Sequence, residues 1–477
     1  MSATVILATS NGTGLGHLTR QMCVALSMDE HINPVIFSLS QAVPVISEHG
    51  LHGEYCPSYD RDWMPKFLWQ YYMAERLVGL VKETDAKVVA FDGVVPHIGL
   101  IRARARLPNV AFVWMRRGMW RPDINHPQLK RSPVFDLILE PGDLAADGDV
   151  GPTADRDDAI RLPPISMVEH ISPIPRAEAA RALGLDPDRP TALLTLSSGV
   201  LNDVARPGSA VLETFLDHPD WQVAVTRTAL TRGGVPLVDA DRCVELTGVY
   251  PLARYLSAFD AAVGAGGYNT CHELLFSGIP TLFVPNNSST TDNQRRRASW
   301  LADAGYALFA DETLLDEVSA QTARLCDEGV RGELAAACRT LEPPNGSKVA
   351  VRELVKLVDS FEPTSATVDR ITLFKFWAKR NIERLLGPRG SALVRRLLGR
   401  PTTGGLAKLL PVRVIEDADR LPAANDEPRP LVLTETLDRE LMSDDMCLEH
   451  LLPGSSERHR RRRRRIVKEF YDVREET

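Results

Sequence analysis

The stretch DAAVGAGGYNTCHELLFSGIPTLFVPNNSSTTDNQRRRASWLADAG, residues Asp260 to Gly305, decides how this chain is read. An apolar run, Ala261 to Val263, meets the small-residue turn Gly264-Ala265-Gly266-Gly267, and the pattern predicts a helix from near Thr270 with Glu273 in its first turn. A second apolar run follows at Thr281 to Val284, and the polar loop beyond it ends in Asp292-Asn293-Gln294. A strand, a glycine turn and a helix start leave backbone N–H groups open at the positive end of a helix dipole, which suits a phosphate. Glu273 and Gln294 stand where they could accept hydrogen bonds from the hydroxyls of a ribose or a sugar.

Working outward, short β-rich runs alternate with helical stretches. Strands are expected at Val5 to Ala8, Pro34 to Phe37, Val88 to Phe91, Val110 to Val113 and Leu137 to Leu139, with helices between them such as His17 to Met28 and Phe67 to Lys82. The alternation restarts at Thr191 to Leu196, Gln222 to Val225, Val244 to Leu246 and the quoted unit. Such alternation implies βαβ units on parallel sheets. The expected class is therefore α/β, with two Rossmann-like doubly wound domains facing a cleft, at 1–158 and 159–361. Gly142 to Asp158, rich in Gly, Asp and Pro, reads as a linker or boundary, and Ser347 to Ser360 as a helix closing the second domain.

The 477 residues carry 44% hydrophobic and 25% charged residues, ordinary for a soluble globular protein. A net charge of -7 gives no reason to expect nucleic acid as a partner. Seven cysteines with no CxxC pair fit a reducing compartment and argue against a zinc site or a disulfide framework. The N-terminus lacks a basic n-region, and no window reaches the roughly 18 apolar residues of a membrane span. A cytoplasmic protein is expected. From residue 362 the character changes: Arg370 to Arg413 holds eleven Lys or Arg against one acid, Glu383. Ile371, Phe374, Ala378, Ile382 and Leu385 follow helical spacing within it. A basic amphipathic extension, 362–416, suits an anionic membrane surface, or else packs on the main body. The acidic, proline-containing tail, 417–477, is expected to be mostly disordered.

Chemistry is expected where loops leave strand ends. The first loop, Ser10-Asn11-Gly12-Thr13-Gly14-Leu15-Gly16-His17, invites a dinucleotide reading. The third glycine of GxGxxG is absent, and strand two ends in Phe37-Ser38-Leu39-Ser40 where a ribose-binding acid would stand. Both departures weigh against a nicotinamide enzyme. His17 sits at the cleft mouth, where an imidazole could take a proton from a hydroxyl, or merely cap the loop. Asp92, at the carboxyl end of its strand, could orient His17, bind an acceptor hydroxyl, or make a turn with Gly93. The run Trp114-Met115-Arg116-Arg117-Gly118-Met119-Trp120-Arg121 interleaves arginines with aromatics, suited to a phosphate or a sugar face if not simply solvated. Ser197-Ser198-Gly199 is a second, weaker candidate for phosphate donors.

With these residues in place, the chain resembles the GT-B glycosyltransferases. The likeness is to the branch holding the peptidoglycan N-acetylglucosaminyl transferase and related lipid-linked sugar transferases. GTGLGH looks like their N-terminal glycine loop; Gly267, Thr270, Glu273, SGIPTLFVP and Asp292-Asn293-Gln294 match their donor segment. The resemblance covers roughly 1–361, strong in the second domain and loose in the first. It implies a donor site made of Gly14, Gly16, Ser198, Gly199, Val249, Gly266, Gly267, Tyr268, Asn269, Thr270, Glu273, Asp292, Asn293, Gln294 and Arg295. Within it the turn and Thr270 would face a diphosphate, Glu273 the ribose, Gln294 the sugar, and the Gly248-Val249 backbone the base. His17 becomes the implied base, with Asp92, and Arg116, Arg117 and Trp120 the candidate acceptor contacts.

The departures are specific. Arg295 replaces a second glutamine of the peptidoglycan enzyme, so the sugar need not be N-acetylglucosamine. Trp114-Met115-Arg116-Arg117 replaces its acceptor-side His-Glu-Gln-Asn run, and the arginine it carries early in the donor domain has no clear counterpart. The resemblance implies inverting transfer from a nucleotide sugar, UDP-linked by preference, to a hydroxyl of a lipid-linked, glycan or small-molecule acceptor. No metal or other cofactor is expected, and the place would be the cytoplasm or the inner face of the plasma membrane. The alternatives are a nucleotide-sugar epimerase or hydrolase of the same fold, and a non-catalytic membrane-surface scaffold.

Overall fold

The computed structural model describes residues 2–10, 15–58, 64–124, 126–196, 203–227, 234–288 and 292–363. The basic extension and tail expected beyond that point lie outside the described residues, as do Gly14, Ser198 and Gly199.

The first sheet holds β1 (Ala3–Thr9), β2 (Ile32–Ser38), β3 (His52–Tyr55), β4 (Val88–Asp92), β5 (Ala111–Met115), β6 (Leu137–Glu140) and β7 (Ile160–Arg161). All neighbours pair in parallel, in the order β3-β2-β1-β4-β5-β6-β7. Helices α1 (Gly16–Leu26), α2 (Pro44–Glu48), α3 (Lys66–Thr84) and α4 (Ile98–Arg104) connect them. The central strands β1, β4 and β5 are buried almost end to end, which is why they appear in the sequence as unbroken apolar runs. The edge strands β3 (HGEY) and β7 (Ile-Arg) carry no apolar run and no alternation, and sequence reading missed both.

The second sheet repeats the plan with β8 (Thr191–Thr195), β9 (Gln222–Arg227), β10 (Cys243–Thr247), β11 (Ala261–Gly264), β12 (Thr281–Phe283) and the short edge strand β13 (Leu308–Phe309). Its order is β10-β9-β8-β11-β12-β13, again all parallel. Helices α5 (Arg176–Ala182), α6 (Ala205–Leu216), α7 (Tyr268–Phe276), α8 (Gln294–Asp303), α9 (Leu315–Cys326) and α10 (Glu328–Cys338) accompany it. Strand order reverses between β1 and β4 in one sheet and between β8 and β11 in the other. Ligands of doubly wound sheets lie outside the carboxyl ends of the strands at such reversals, which puts His17 and Asp92 at one switch point and the Gly264–Gly267 turn at the other.

Two expectations are corrected. Gly142 to Asp158 is not the linker: it is a compact loop between β6 and β7, so the first sheet extends to Arg161, past the expected boundary at 158. The helix at the end of the described chain, α11 (Gly346–Ser360), does not close the second domain. It packs on α1 and β4, and its Ala350 and Leu354 join the first domain's core with Val5, Leu7, Met22 and Val88. Its entry is tight: Gly346 donates its N–H to Pro164 O at 3.0 Å, and a Cβ there would lie 2.1 Å from Pro163 O. Apolar spacing predicted the helix but could not say which core it serves.

Candidate active site

Asp92 is the last residue of β4 and is 1% exposed. Its carboxylate accepts from Arg20 Nε at 2.8 Å and Nη2 at 2.7 Å, and lies 2.6 Å from His17 Nδ1. Arg20 follows His17 by one turn of α1, so the helix presents both side chains to the same strand end. Burial works against the Asp92 charge, but Arg20 and His17 outweigh it and hold the carboxyl down at about 2. Arg20 Nη2 also lies 2.9 Å from His17 Nδ1. Since Arg20 donates to Asp92, the consistent assignment gives His17 an Nδ1–H donating to the carboxylate. Nε2 then carries the lone pair, with no partner among the described residues. Burial lowers the His17 pKa, Asp92 opposes that, and Arg20 and Arg117 add to it. The ring is therefore neutral at pH 7, as a general base requires.

Across the cleft, β11 ends in Gly264 and α7 begins at Tyr268 with Gly267 as N-cap, two residues earlier than expected. The N–H groups of Tyr268, Asn269 and Thr270 precede the first intrahelical bond, from Cys271 to Gly267 O at 3.0 Å. Gly266 is required for this geometry: a Cβ there would come within 2.9 Å of Gln294 O. Asn269 donates to Gly16 O at 3.5 Å, so the turn faces the start of α1, and its buried Oδ1 has no partner among the described residues. Glu273 falls in the second turn of α7 rather than the first. It makes no side-chain hydrogen bond or ion pair among the described residues, and burial pushes its carboxyl up to about 7. A half-buried acid without a partner is what a ribose-binding role needs before its ligand arrives.

Charged side chains bind the two halves together. Arg297 of α8, fully buried, donates to Asp143 at 2.8 Å and to Gly266 O at 2.8 Å, and meets Asp292 at 2.7 Å. Tyr268 donates to Gly142 O at 2.8 Å and accepts from Ile165 N at 3.0 Å. His272 accepts from Leu144 N at 3.1 Å, and Asn293 N donates to Met119 O at 2.8 Å. Thr19 meets Tyr250 across 3.0 Å, tying α1 to the segment after β10.

These contacts reassign several expected ligand residues. Tyr268 is a bolt between domains, not a donor contact through its ring. Arg116 is buried on Asp158 at 2.8 Å and Glu140 at 3.4 Å, and Trp120 is buried with its Nε1 donating to Arg117 O at 2.5 Å, so neither side chain faces an acceptor. Asn293 caps α8, accepting from Arg296 N at 3.3 Å. Gln294 accepts from Asn286 N and donates to Asp292, each at 3.3 Å, while Asp292 serves two arginines. Arg295 turns away to pair with Asp311 over the Phe309 ring. Val249 packs on the second domain's core and so offers a ligand its backbone. The turn at Gly266 and Gly267, Asn269, Thr270, Glu273, Gly16, His17, Asp92 and Arg117 remain at the cleft. Arg20 and Arg297 were missed; the i, i+3 spacing of His17 and Arg20 was the available signal. Among the described residues no three His, Cys, Asp or Glu side chains gather as a metal site would need, and no helix is long and apolar enough to cross a membrane.

Two parallel sheets with this order and a shared cleft have solved counterparts. The spinosyn forosaminyltransferase aligns over 76% of this chain and all of its own length, with a TM-score of 0.55 and 16% identity. The glycosyltransferase of kitacinnamycin aligns over 75% of this chain and 99% of its own, at 0.54 and 16%. The fold is GT-B. Within it, residues 243–342 match the glycosyltransferase family 28 C-terminal domain, covering β10 to α10 with the α7 turn, Glu273 and α8. Curated relatives carry the name UDP-N-acetylglucosamine--N-acetylmuramyl-(pentapeptide) pyrophosphoryl-undecaprenol N-acetylglucosamine transferase. The one from Cutibacterium acnes is 31% identical over 202 residues, which is 40% of this chain and 52% of that protein. The one from Salinibacter ruber is 32% identical over 107 residues, 22% and 29% respectively. The chain thus spans about half the length, or less, of these relatives.

Proposed function

We propose that this GT-B chain is a glycosyltransferase that moves a sugar from a nucleotide-sugar donor, UDP-linked, to a hydroxyl of a lipid-linked, glycan or small-molecule acceptor. The observation that carries the reading is the pairing of the His17–Asp92 dyad, a neutral imidazole on an ionised carboxylate, with the open N–H turn of α7, joined across the cleft by the Asn269–Gly16 contact. His17 Nε2 takes the acceptor hydroxyl proton, and Asp92 stabilises the imidazolium through Nδ1–H. The freed oxygen bonds to the anomeric carbon as the bond to the diphosphate oxygen breaks on the opposite face, so the centre inverts. Negative charge growing on the leaving diphosphate is met by the Tyr268, Asn269 and Thr270 N–H groups and the α7 dipole, with no metal in the scheme. Glu273 accepts from the ribose hydroxyls. The family 28 match over the donor half supports a nucleotide-sugar donor, and the relatives' printed name supports UDP and a lipid-linked acceptor. The same reading puts the protein at the cytoplasmic face of a membrane.

The test is a mass-spectrometric screen of UDP- and dTDP-sugars with the full chain and candidate acceptors. Nucleotide diphosphate released together with a glycosylated acceptor is expected. Turnover of a donor with no acceptor present would instead assign a hydrolase or epimerase, and no binding of any donor would remove the reading.

A further inference from the structure

Two adjacent arginines leave β5, and the alternation of an extended chain sends them to opposite sides. Arg116 turns inward to Glu140, Asp158 and Ser132 and is fully buried. The loop that follows is clamped on both sides: Met119 N donates to Asp149 at 2.8 Å, Met119 O accepts from Asn293 N at 2.8 Å, and Trp120 Nε1 holds Arg117 O. Met119 has φ +56°, a left-handed conformation that a non-glycine residue keeps only where its surroundings enforce it. These contacts fix the backbone of Arg117 and leave its side chain, 18% exposed, leaning into the cleft.

There Arg117 is short of counter-charge. Its ion-pair partner is Asp292 at 3.5 Å, long for a charge-assisted hydrogen bond, and Asp292 is already held by Arg297 at 2.7 Å. The neighbouring cations are committed, Arg20 to Asp92 and Arg297 to Asp143, Asp292 and Gly266 O. Burial, Arg20 and Arg297 together hold the Arg117 guanidinium below its ordinary range, with Asp292 working against them. The same Arg297 grips the phosphate-facing turn, so the Arg117–Asp292 pair stands one side chain away from it.

We infer that Arg117 is a diphosphate-binding residue, the first domain's grip on the leaving group seated at the α7 turn of the second. The inference rests on the glycosyltransferase reading and adds a contact to it. When the diphosphate arrives, Arg117 gives up Asp292 for phosphate oxygens, which a guanidinium meets with two parallel N–H groups. Asp292 stays with Arg297. Because loop and turn belong to different domains, an occupied site also draws the two together.

The experiment is calorimetric titration of the full chain with UDP, dTDP and uridine, for wild type and for R117A, R117K and R117Q. R117A is expected to weaken UDP binding roughly 10- to 100-fold and leave uridine binding unchanged, with R117K recovering part of the loss. Its melting temperature should be no lower than that of wild type, since the side chain removed is an under-compensated, half-buried cation. If R117A fails to fold, R117Q, of similar length and neutral, gives the same comparison. UDP affinity unchanged in R117A and R117Q overturns the inference alone, including the case in which transfer is lost because Arg117 meets an anionic group of the acceptor. Equal loss of UDP and uridine overturns it too, since that marks a structural role. A wild-type protein that binds neither UDP nor dTDP overturns both this inference and the transfer reading beneath it.

Discussion

Asp92 stabilises two cationic groups, but only one of them is permanently charged. Arg20 needs the carboxylate throughout, whereas His17, in the proposed transfer, needs it most when protonated. Asp92→Asn keeps the shape and removes the charge, so kcat should fall roughly 10²- to 10⁴-fold while UDP affinity stays within about threefold. The pH profile checks the assignment. Wild-type kcat should rise through a pKa below the ordinary histidine value of 6.5, because the base is the neutral form. In Asp92→Asn that pKa should move lower still, since Asp92 is what raises it. Glu273 presents the opposite case. Its carboxyl titrates at about 7 in the fold against an ordinary 4.5, so its contribution to stability is full below 4.5 and is lost as pH rises through 7. Glu273→Gln should therefore raise the melting temperature more at pH 8 than at pH 5, and weaken UDP binding roughly tenfold through the lost charged acceptor. A variant that lost both stability and affinity would show a structural acid instead.

At the scale of elements, α7 and α8 work as a pair, and Arg297 is what pairs them. It holds Gly266 O on the turn before α7 and Asp292 on the loop before α8, with Asp143 from the first domain. Arg297→Met strips Asp143 of its arginine and leaves Asp292 to Arg117 alone, which should cost about 3–5 kcal/mol in urea unfolding; a loss under about 1 kcal/mol would mean that water reaches the two carboxylates. How much of this was legible divides along physical lines. Central strands announce themselves because both faces are buried, so β1, β4, β8 and β11 were readable as apolar runs. Edge strands β3, β7 and β13 lack that signal. The start of α7 was placed two residues late, because Gly267, a cap with no side chain, gives a weaker sign than Thr270. Arg116 and Arg117 look alike in sequence; what separates them is Glu140 and Asp158, whose nearness depends on β6 lying beside β5 and β7 beside β6. His17 and Asp92 were each placed at strand ends, but their 2.6 Å contact follows from β1 and β4 being neighbours, which no local pattern states.

For the molecule as a whole, α11 decides how the domains are coupled. The chain leaves the first domain after β7, builds the second, and returns so that Ala350 and Leu354 lie against β1, β4 and α1. The first domain's core is therefore finished by residues that follow the second domain along the chain, and it cannot reach full stability until the second domain has been made. Ser347 reinforces the return by sharing hydrogen bonds with Ser27 at 2.7 Å and with Glu169. Leu354 is fully buried, and Leu354→Ala should cost about 2–5 kcal/mol from lost burial and the cavity left behind. The place of the damage matters more than its size. Hydrogen exchange should quicken in β1, β4 and α1 and leave β8, β11 and β12 protected, because the cavity opens in the first core alone. Faster exchange in the second sheet only would assign α11 to the second domain after all. Equal loss in both would mean that the two domains open as one cooperative unit, in which case disturbing α11 should also weaken UDP binding at the distant α7 turn.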